Sequence, residues 1–233
     1  MVAPLRLLVI SDIHSNLPAL RSVLEDAGRC DAVVCSGDIV GYGPDPTECV
    51  EIASKQGFRC VAGNHDAAVI TGDTSNFNTH AADAVAINRR LLKASDRAWL
   101  RRLPVKLTLN VEGVRVAVFH GSPRDPLNEY VFPAEAALMA AEFLDLTGAD
   151  LLILGHTHVP YAIGSGRRMV VNPGSVGQPR DGDPRASYMI IDLNEGEVAV
   201  DHRRVEYDVE EVASRMRRLG LPEMLAVRLF HGW

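Results

Sequence analysis

Leu151-Leu152-Ile153-Leu154 is an apolar run without polar alternation, stopped by Gly155 and followed by His156-Thr157-His158. A run so short and so uniformly apolar predicts a strand covered on both faces, as in sheets held between other layers. Residues 5–10, 32–35 and 58–61 repeat the form, and they end in Ser11-Asp12-Ile13-His14, Gly37-Asp38 and Gly63-Asn64-His65-Asp66. Residues 18–27 and 47–55 between them read as helices, the first with Pro18 in its first turn and Gly28 past its end. The order is βαβαβ, and right-handed crossovers bring the three strand ends to one edge. Alternate residues of an extended chain share a side, so His156 and His158 are expected to face one place. That place is the carboxyl end of a strand, where open α/β sheets bind ligands.

The remainder is read by the same rules. Residues 41–46 form a loop, by their glycines and prolines. Residues 79–92 carry Ala81, Ala84, Val85, Ile87, Leu91 and Leu92 at helical spacing, and residues 133–144 predict another helix. Ser95 is a candidate cap for a short helix through Leu100. Residues 105–109 and 114–119 flank Glu112-Gly113 as a hairpin whose second strand ends in His120-Gly121. Residues 169–172, 187–193 and 198–205 are expected as antiparallel strands, the last two joined at Asn194-Glu195-Gly196. Asp208 and Glu211 fit a capping box for a helix to about Leu219, and the tail to Trp233 is expected to pack down. With no repeat or linker, residues 1–233 are expected to form a single α/β domain, helices outside.

Composition narrows the function classes. Acidic residues outnumber basic ones, 30 to 24, for a net charge of -6, and no Lys/Arg block offers a footprint for nucleic acid or an anionic membrane. A phosphorylated substrate would then need locally concentrated positive charge, which a metal supplies. No apolar run approaches a membrane span or a signal-peptide core. Cys30, Cys35, Cys49 and Cys60 lack CxxC spacing, which predicts thiols rather than disulfides and a cytoplasmic protein.

Asp12, His14, Asp38, Asn64, His65, His120, His156 and His158 all stand just after predicted strands, and five of the eight histidines are among them. Each alone has an ordinary explanation as a turn, cap or core residue. Together, at the same end of five strands, they predict a metal site. Oxygen and nitrogen donors without thiolate suit Mn, Fe, Zn, Co or Ni. There are too many ligands for one tetrahedral ion, and they fit two ions about 3.5–4 Å apart.

In that order, Asp12-x-His14, Gly37-Asp38, Gly63-Asn64-His65-Asp66, His120 and Gly155-His156-x-His158 resemble the motifs of the calcineurin-like metallophosphoesterase superfamily. The flanking text GDIVGYGPDP, HGSPRDPLNEY and VNPGSVGQPRDGDPRASY resembles its compact bacterial phosphodiesterase or phosphatase branch. The resemblance implies a four-layer sandwich of two mixed β-sheets flanked by helices, with two divalent metals, manganese first among them, at the strand carboxyl ends. It implies that Asp12, His14 and His158 hold one ion, that Asn64, His120 and His156 hold the other, and that Asp38 bridges. His65 would stand beside the leaving oxygen as acid or hydrogen-bond donor. The implied activity is hydrolysis of a small phosphodiester or phosphomonoester by in-line attack of a hydroxide bridging the metals. A dinucleoside-polyphosphate hydrolase is the alternative within the enzymes. From another class comes a non-catalytic protein-binding scaffold like the retromer subunit of this fold. Homo-oligomerisation stays open.

The chain also departs from the protein phosphatases of that superfamily. They carry an Asp that orients the catalytic histidine, and an Arg, where this chain has Gly41 and Tyr42, and another Arg where it has Ala62. Asp66 and Asp45 are alternative candidates for orienting His65, and Arg124 and Arg180 for gripping phosphate. Specificity is expected in the loops 72–79, 121–129 and 173–185, and His80 is a candidate for the pocket.

Overall fold

Strands that are apolar at every position are buried on both faces here. The computed structural model describes residues 5–194 and 196–233; Glu195, at the centre of the turn expected at Asn194-Glu195-Gly196, lies outside the described residues, as does the start of the chain. One five-stranded sheet has the order β10-β9-β1-β2-β3. In it β1 (Leu5–Ile10), β2 (Ala32–Cys35) and β3 (Arg59–Cys60) run parallel, and β9 (Ala186–Asn194) and β10 (Glu197–Val205) extend it antiparallel. The other has the order β4-β5-β6-β8-β7. There β5 (Val114–Phe119), β6 (Leu151–Ile153) and β8 (Arg168–Asn172) are parallel, and β4 (Lys106–Val111) and β7 (Tyr161–Ser165) are antiparallel edges.

Side-chain alternation builds the layers. Leu7 and Val9 of β1 meet Val116, Val118, Leu151 and Ile153 in a core between the sheets. Their neighbours Leu8 and Ile10 face outward, into a core with Leu17, Leu20 and Val23 of α1 (Leu17–Ala27) and Val50 of α2 (Pro46–Lys55). On the far side Leu152 and Leu154 pack under Phe143 and Leu144 of α6 (Pro133–Thr147). The result is helix, sheet, sheet, helix, as expected. A further apolar cluster joins Tyr42 to α4 (Thr79–Leu91), α7 (Val209–Arg218) and α8 (Glu223–Leu229). The four cysteines are free thiols. Among the described residues no helix is long and apolar enough to cross a membrane.

The structure corrects several expectations. Residues 169–172 are not an antiparallel neighbour of the two late strands: β8 pairs parallel with β6, while β9 and β10 return to the first sheet. Asp208 caps α7 by accepting the Glu211 backbone N–H at 2.8 Å. For the short helix α5 (Ala94–Leu100) the cap position is Lys93, and the Asp96 carboxylate accepts its backbone N–H at 3.0 Å. The elements α3 (Asn64–Thr71), β7 and α8 were not expected.

Asp45 ties the C-terminal helices to the loop before α2. Its carboxylate pairs with Arg215 of α7, yet it is buried and its Oδ2 has no hydrogen-bond partner among the described residues. Burial pushes the carboxyl up to about 6, the Arg215 charge opposing. The folded chain therefore holds a proton there that the unfolded chain releases near pH 4. This group's contribution to stability is full below that pH and is lost as pH rises to about 6. Urea unfolding across that window should show this fall in the native chain and lose it in Asp45→Asn, and an unchanged slope in the variant would overturn the assignment.

Candidate metal centre

The carboxyl ends of β1, β2, β3, β5 and β6 open onto one space. Asp12 and His14 follow β1, Asp38 follows β2, and Asn64 and His65 begin α3 directly after β3. His120 follows β5, and His156 and His158 follow β6. Asp12, His14, Asp38, His65, His120, His156 and His158 are all buried. Their donor atoms gather within 4.8 Å of one another in three groups: Asp12, His14 and His158; Asp38, His120 and His156; and His14, Asp38 and His65. Asn64 joins the second through its Oδ1, 3.0 Å from His120 Nε2.

His156 and His158 do not share one place. Both are left-handed, with φ of 66° and 59°, so the two-residue repeat of an extended strand does not apply and the rings part to different groups. Asp12, His14 and Asp38 are left-handed as well. Non-glycine residues in this region cost about 1–3 kcal/mol each, and such strain collects at functional sites. Buried polar side chains hold these turns. Asn172 donates to the Gly155 carbonyl at 2.7 Å, Ser175 to the Asp12 carbonyl at 2.8 Å, and Ser36 to the Leu154 carbonyl at 3.2 Å. Asn88 of α4 accepts from Ser15 and from the Gly41 backbone, and donates to the Gly43 carbonyl.

The outer ring nitrogens of four histidines settle their tautomers. His14 Nδ1 meets the Val40 carbonyl (3.2 Å), His120 Nδ1 that of Ser36 (2.9 Å), His158 Nδ1 that of Gln178 (2.5 Å), and His156 Nε2 that of Asn128 (3.2 Å). A carbonyl only accepts, so each of these nitrogens carries the proton and the other nitrogen of a neutral ring turns a lone pair inward. The inward nitrogens of His14 and His158 are 3.1 Å apart, and those of His120 and His156 are 3.0 Å apart. Asp12 Oδ1 lies 3.1 Å from His158 Nε2 and has no hydrogen-bond partner among the described residues, while Asp12 Oδ2 accepts from Ser11 and from the His156 backbone. Converging lone pairs and an orphaned carboxylate oxygen fit a divalent cation, and the oxygen and nitrogen donors suit Mn, Fe, Zn, Co or Ni.

Electrostatics agree with that fit. Burial works against charge on His120, but the Asp38 carboxylate outweighs it and draws the imidazole up to about 9. Burial holds His158 down to about 4 and His156 to about 3. Burial also pushes His65 well below the usual range, Asp38 opposing. The neighbouring imidazoles, His120 foremost, hold Asp38 ionised against its burial.

His65 packs between Tyr42, Phe77 and His14, with ring centroids 4.4, 4.7 and 4.9 Å away, and its Nδ1 has no hydrogen-bond partner among the described residues. Asp66 does not orient it: its two oxygens accept the backbone N–H groups of Val40 and Gly63, both at 3.1 Å. Asp45 is engaged with Arg215. A side chain at position 41 has no room, since a Cβ there would lie 2.5 Å from His65 Nδ1. Gly63 is needed for a similar reason, because its Cβ would fall on Asp38 Oδ1.

A cavity of about 70 Å³ opens above the donors, walled by Asp38, Tyr42, Asn64, His65, Phe77, Tyr130, His156, His158 and Arg180. Arg180 is thus brought to the site and Arg124 is not: Arg124 pairs with Glu129 and Glu142 and lies over the Phe143 ring. His80 is exposed and outside the lining. Asn76, Phe77 and Asn78 come from the expected loop 72–79. Tyr130, stacked 3.8 Å from His156, was not foreseen, since it lies one residue past the loop 121–129. A larger cleft of about 420 Å³ beside Asp45 contains no histidine.

Comparison with known proteins gives the same answer. An uncharacterised protein of Methanocaldococcus jannaschii is 36% identical, the match covering 96% of this chain and 97% of that one. Phosphodiesterase YfcE of Escherichia coli is 30% identical over 81% of this chain and 88% of its own. The crystal structure of a metallophosphoesterase from Sphaerobacter thermophilus superposes with a TM-score of 0.85 at 40% identity, covering 99% of this chain and 100% of that one. The family model of the calcineurin-like phosphoesterase superfamily domain matches residues 5–196, and the chain belongs to that superfamily.

Proposed function

We propose that the chain is a binuclear metal-dependent phosphoesterase acting on a small phosphodiester or phosphomonoester. One observation carries the proposal. Asp38 Oδ2 lies 3.7 Å from His14 Nε2 and 3.3 Å from His120 Nε2, so one carboxylate oxygen faces both donor groups. Asp12, His14 and His158 would hold one cation, Asn64, His120 and His156 the other, with Asp38 shared; manganese is our assignment. Such ions, when bound, supply Lewis-acid charge that activates water and neutralises phosphate oxygens.

The chain's own groups do the rest. Asp38 accepts the His65 backbone N–H through Oδ1 at 2.8 Å, leaving Oδ2 for the donors and fixing where His65 starts. His65 lines the cavity and donates a hydrogen bond or proton to the leaving oxygen. Arg180, in the same wall, grips a phosphate oxygen. Tyr42, Phe77 and Tyr130 narrow the cavity and keep water from its sides. A second compartment of about 140 Å³ shares Asn64, Asn76 and Phe77 with the first, and gives the other substituent of a diester a place. That compartment also keeps a dinucleoside polyphosphate in view as substrate. A scaffold would have no use for His65, buried against the donors.

Bis-p-nitrophenyl phosphate, p-nitrophenyl phosphate or both should be hydrolysed at a rate that rises with added Mn²⁺. No turnover of either by protein shown to carry metal would favour the scaffold. His65→Ala should lower kcat roughly 10²–10⁴-fold with metal content unchanged; loss of metal would make His65 a ligand instead. Asp38→Asn should reduce bound metal in elemental analysis, and full occupancy in that variant would remove the bridging role.

A further inference from the structure

Arg180 in the cavity wall and Arg228 of α8 have no carboxylate partner among the described residues. Arg180 donates from Nη2 to the Tyr42 hydroxyl (3.1 Å) and to Gln178 Oε1 (3.2 Å), both neutral, and its buried Nε has no acceptor. Arg228 of α8 is half-buried, and its Nε is likewise buried with no acceptor. Other arginines of the C-terminal part are paired: Arg204 with Asp181, Arg215 with Asp45, Arg217 with Glu223.

Backbone contacts hold the two segments together. The Gly182 N–H donates to the Gly232 carbonyl at 2.8 Å, and the Gly232 N–H to the Arg228 carbonyl at 2.9 Å. Leu225, Ala226 and Leu229, which flank Arg228 on α8, pack in one cluster with Tyr42, the residue Arg180 covers. Burial, and then the charge of Arg180, push the Arg228 guanidinium below its ordinary range. Like charges close together with buried donors unused are unfavourable, and an anion relieves both conditions. The planar guanidinium fork matches phosphate oxygens in particular.

We propose that Arg228 extends the phosphate grip of Arg180 into a subsite for a second phosphoryl group, carried by the substrate in addition to the one that is cleaved. The proposal rests on the phosphoesterase reading and deepens it: the preferred substrate class bears two phosphoryl groups, either linked as a phosphoanhydride or set apart on one molecule.

Calorimetric titration of the manganese-loaded protein with AMP, α,β-methylene-ADP and adenosine 3′,5′-bisphosphate, at fixed free Mn²⁺, tests it. At least one of the latter two should bind about tenfold or more tightly than AMP, and which one does so separates the two linkages. Arg228→Gln should remove most of that advantage while AMP binding changes less than twofold, and Arg228→Lys should keep part of it. Equal affinity for all three ligands, or an equal loss for all three in Arg228→Gln with an unchanged thermal melt, would overturn the subsite. If the melt shows Arg228→Gln unfolded, the Lys variant decides, and an undiminished advantage there would also overturn it. Turnover of bis-p-nitrophenyl phosphate by the native protein judges the phosphoesterase reading separately, so either idea can fail alone.

Discussion

Donor atoms that converge on one buried space are the constraint to which the rest of the structure answers. His14 and His158, and again His120 and His156, bring their inner ring nitrogens close together because backbone carbonyls engage the outer nitrogens of the rings. Buried carboxylates at Asp12 and Asp38 add negative charge to the same space. Such a group of side chains holds together only with positive charge among it. In the bare chain that charge falls on His120, whose imidazole is drawn up to about 9. Two sheets are needed because the donors come from both: β1, β2 and β3 supply one side, β5 and β6 the other.

The layers were legible because burial on two faces leaves a plain mark in sequence. β2, β6 and the inner parts of β1 and β5 are apolar at successive positions, and each strand was found close to its observed bounds. The missing elements carry weaker marks. β7 is an edge strand with Gly164 inside it and Ser165 at its end, so only three of its five residues are apolar. The helix α8 has only seven residues after Pro222. For α3 the difficulty was different: Asn64, His65 and Asp66 look like loop chemistry, although they form its first turn and Asp66 satisfies the backbone at its start. The partners of β8 were not readable at all, because a strand's own residues do not state which neighbour it runs beside.

The site was legible as a set of residue types, and much less so as geometry. Asp, Asn and His after consecutive strands marked where donors gather. Left-handed backbone at Asp12, His14, Asp38, His156 and His158 leaves no signature in the sequence, so the two-residue spacing of the last pair suggested one shared face where the structure has two. Arg124 and Arg180 looked equivalent as loop arginines. What separates them is the company they keep: Glu129 and Glu142 neutralise Arg124, whereas among the described residues the Arg180 side chain bonds to the neutral Tyr42 hydroxyl and Gln178.

The departures at positions 41 and 42 now have a physical account. With Gly41 the imidazole of His65 sits where a side chain at that position would otherwise go, and among the described residues no carboxylate reaches its Nδ1. Its orientation comes from a tilted contact with Tyr42 and an edge-on contact with Phe77, which wedge the ring without supplying charge. Tyr42 in turn occupies the place of a motif arginine, and the guanidinium at that wall is Arg180, delivered from a loop 138 residues further along the chain and bonded to the Tyr42 hydroxyl. The positive charge has therefore moved in sequence while staying beside the cavity. Because the loop that carries it is pinned through Gly182 to the residues that follow α8, the C-terminal end of the chain helps to shape this side of the site.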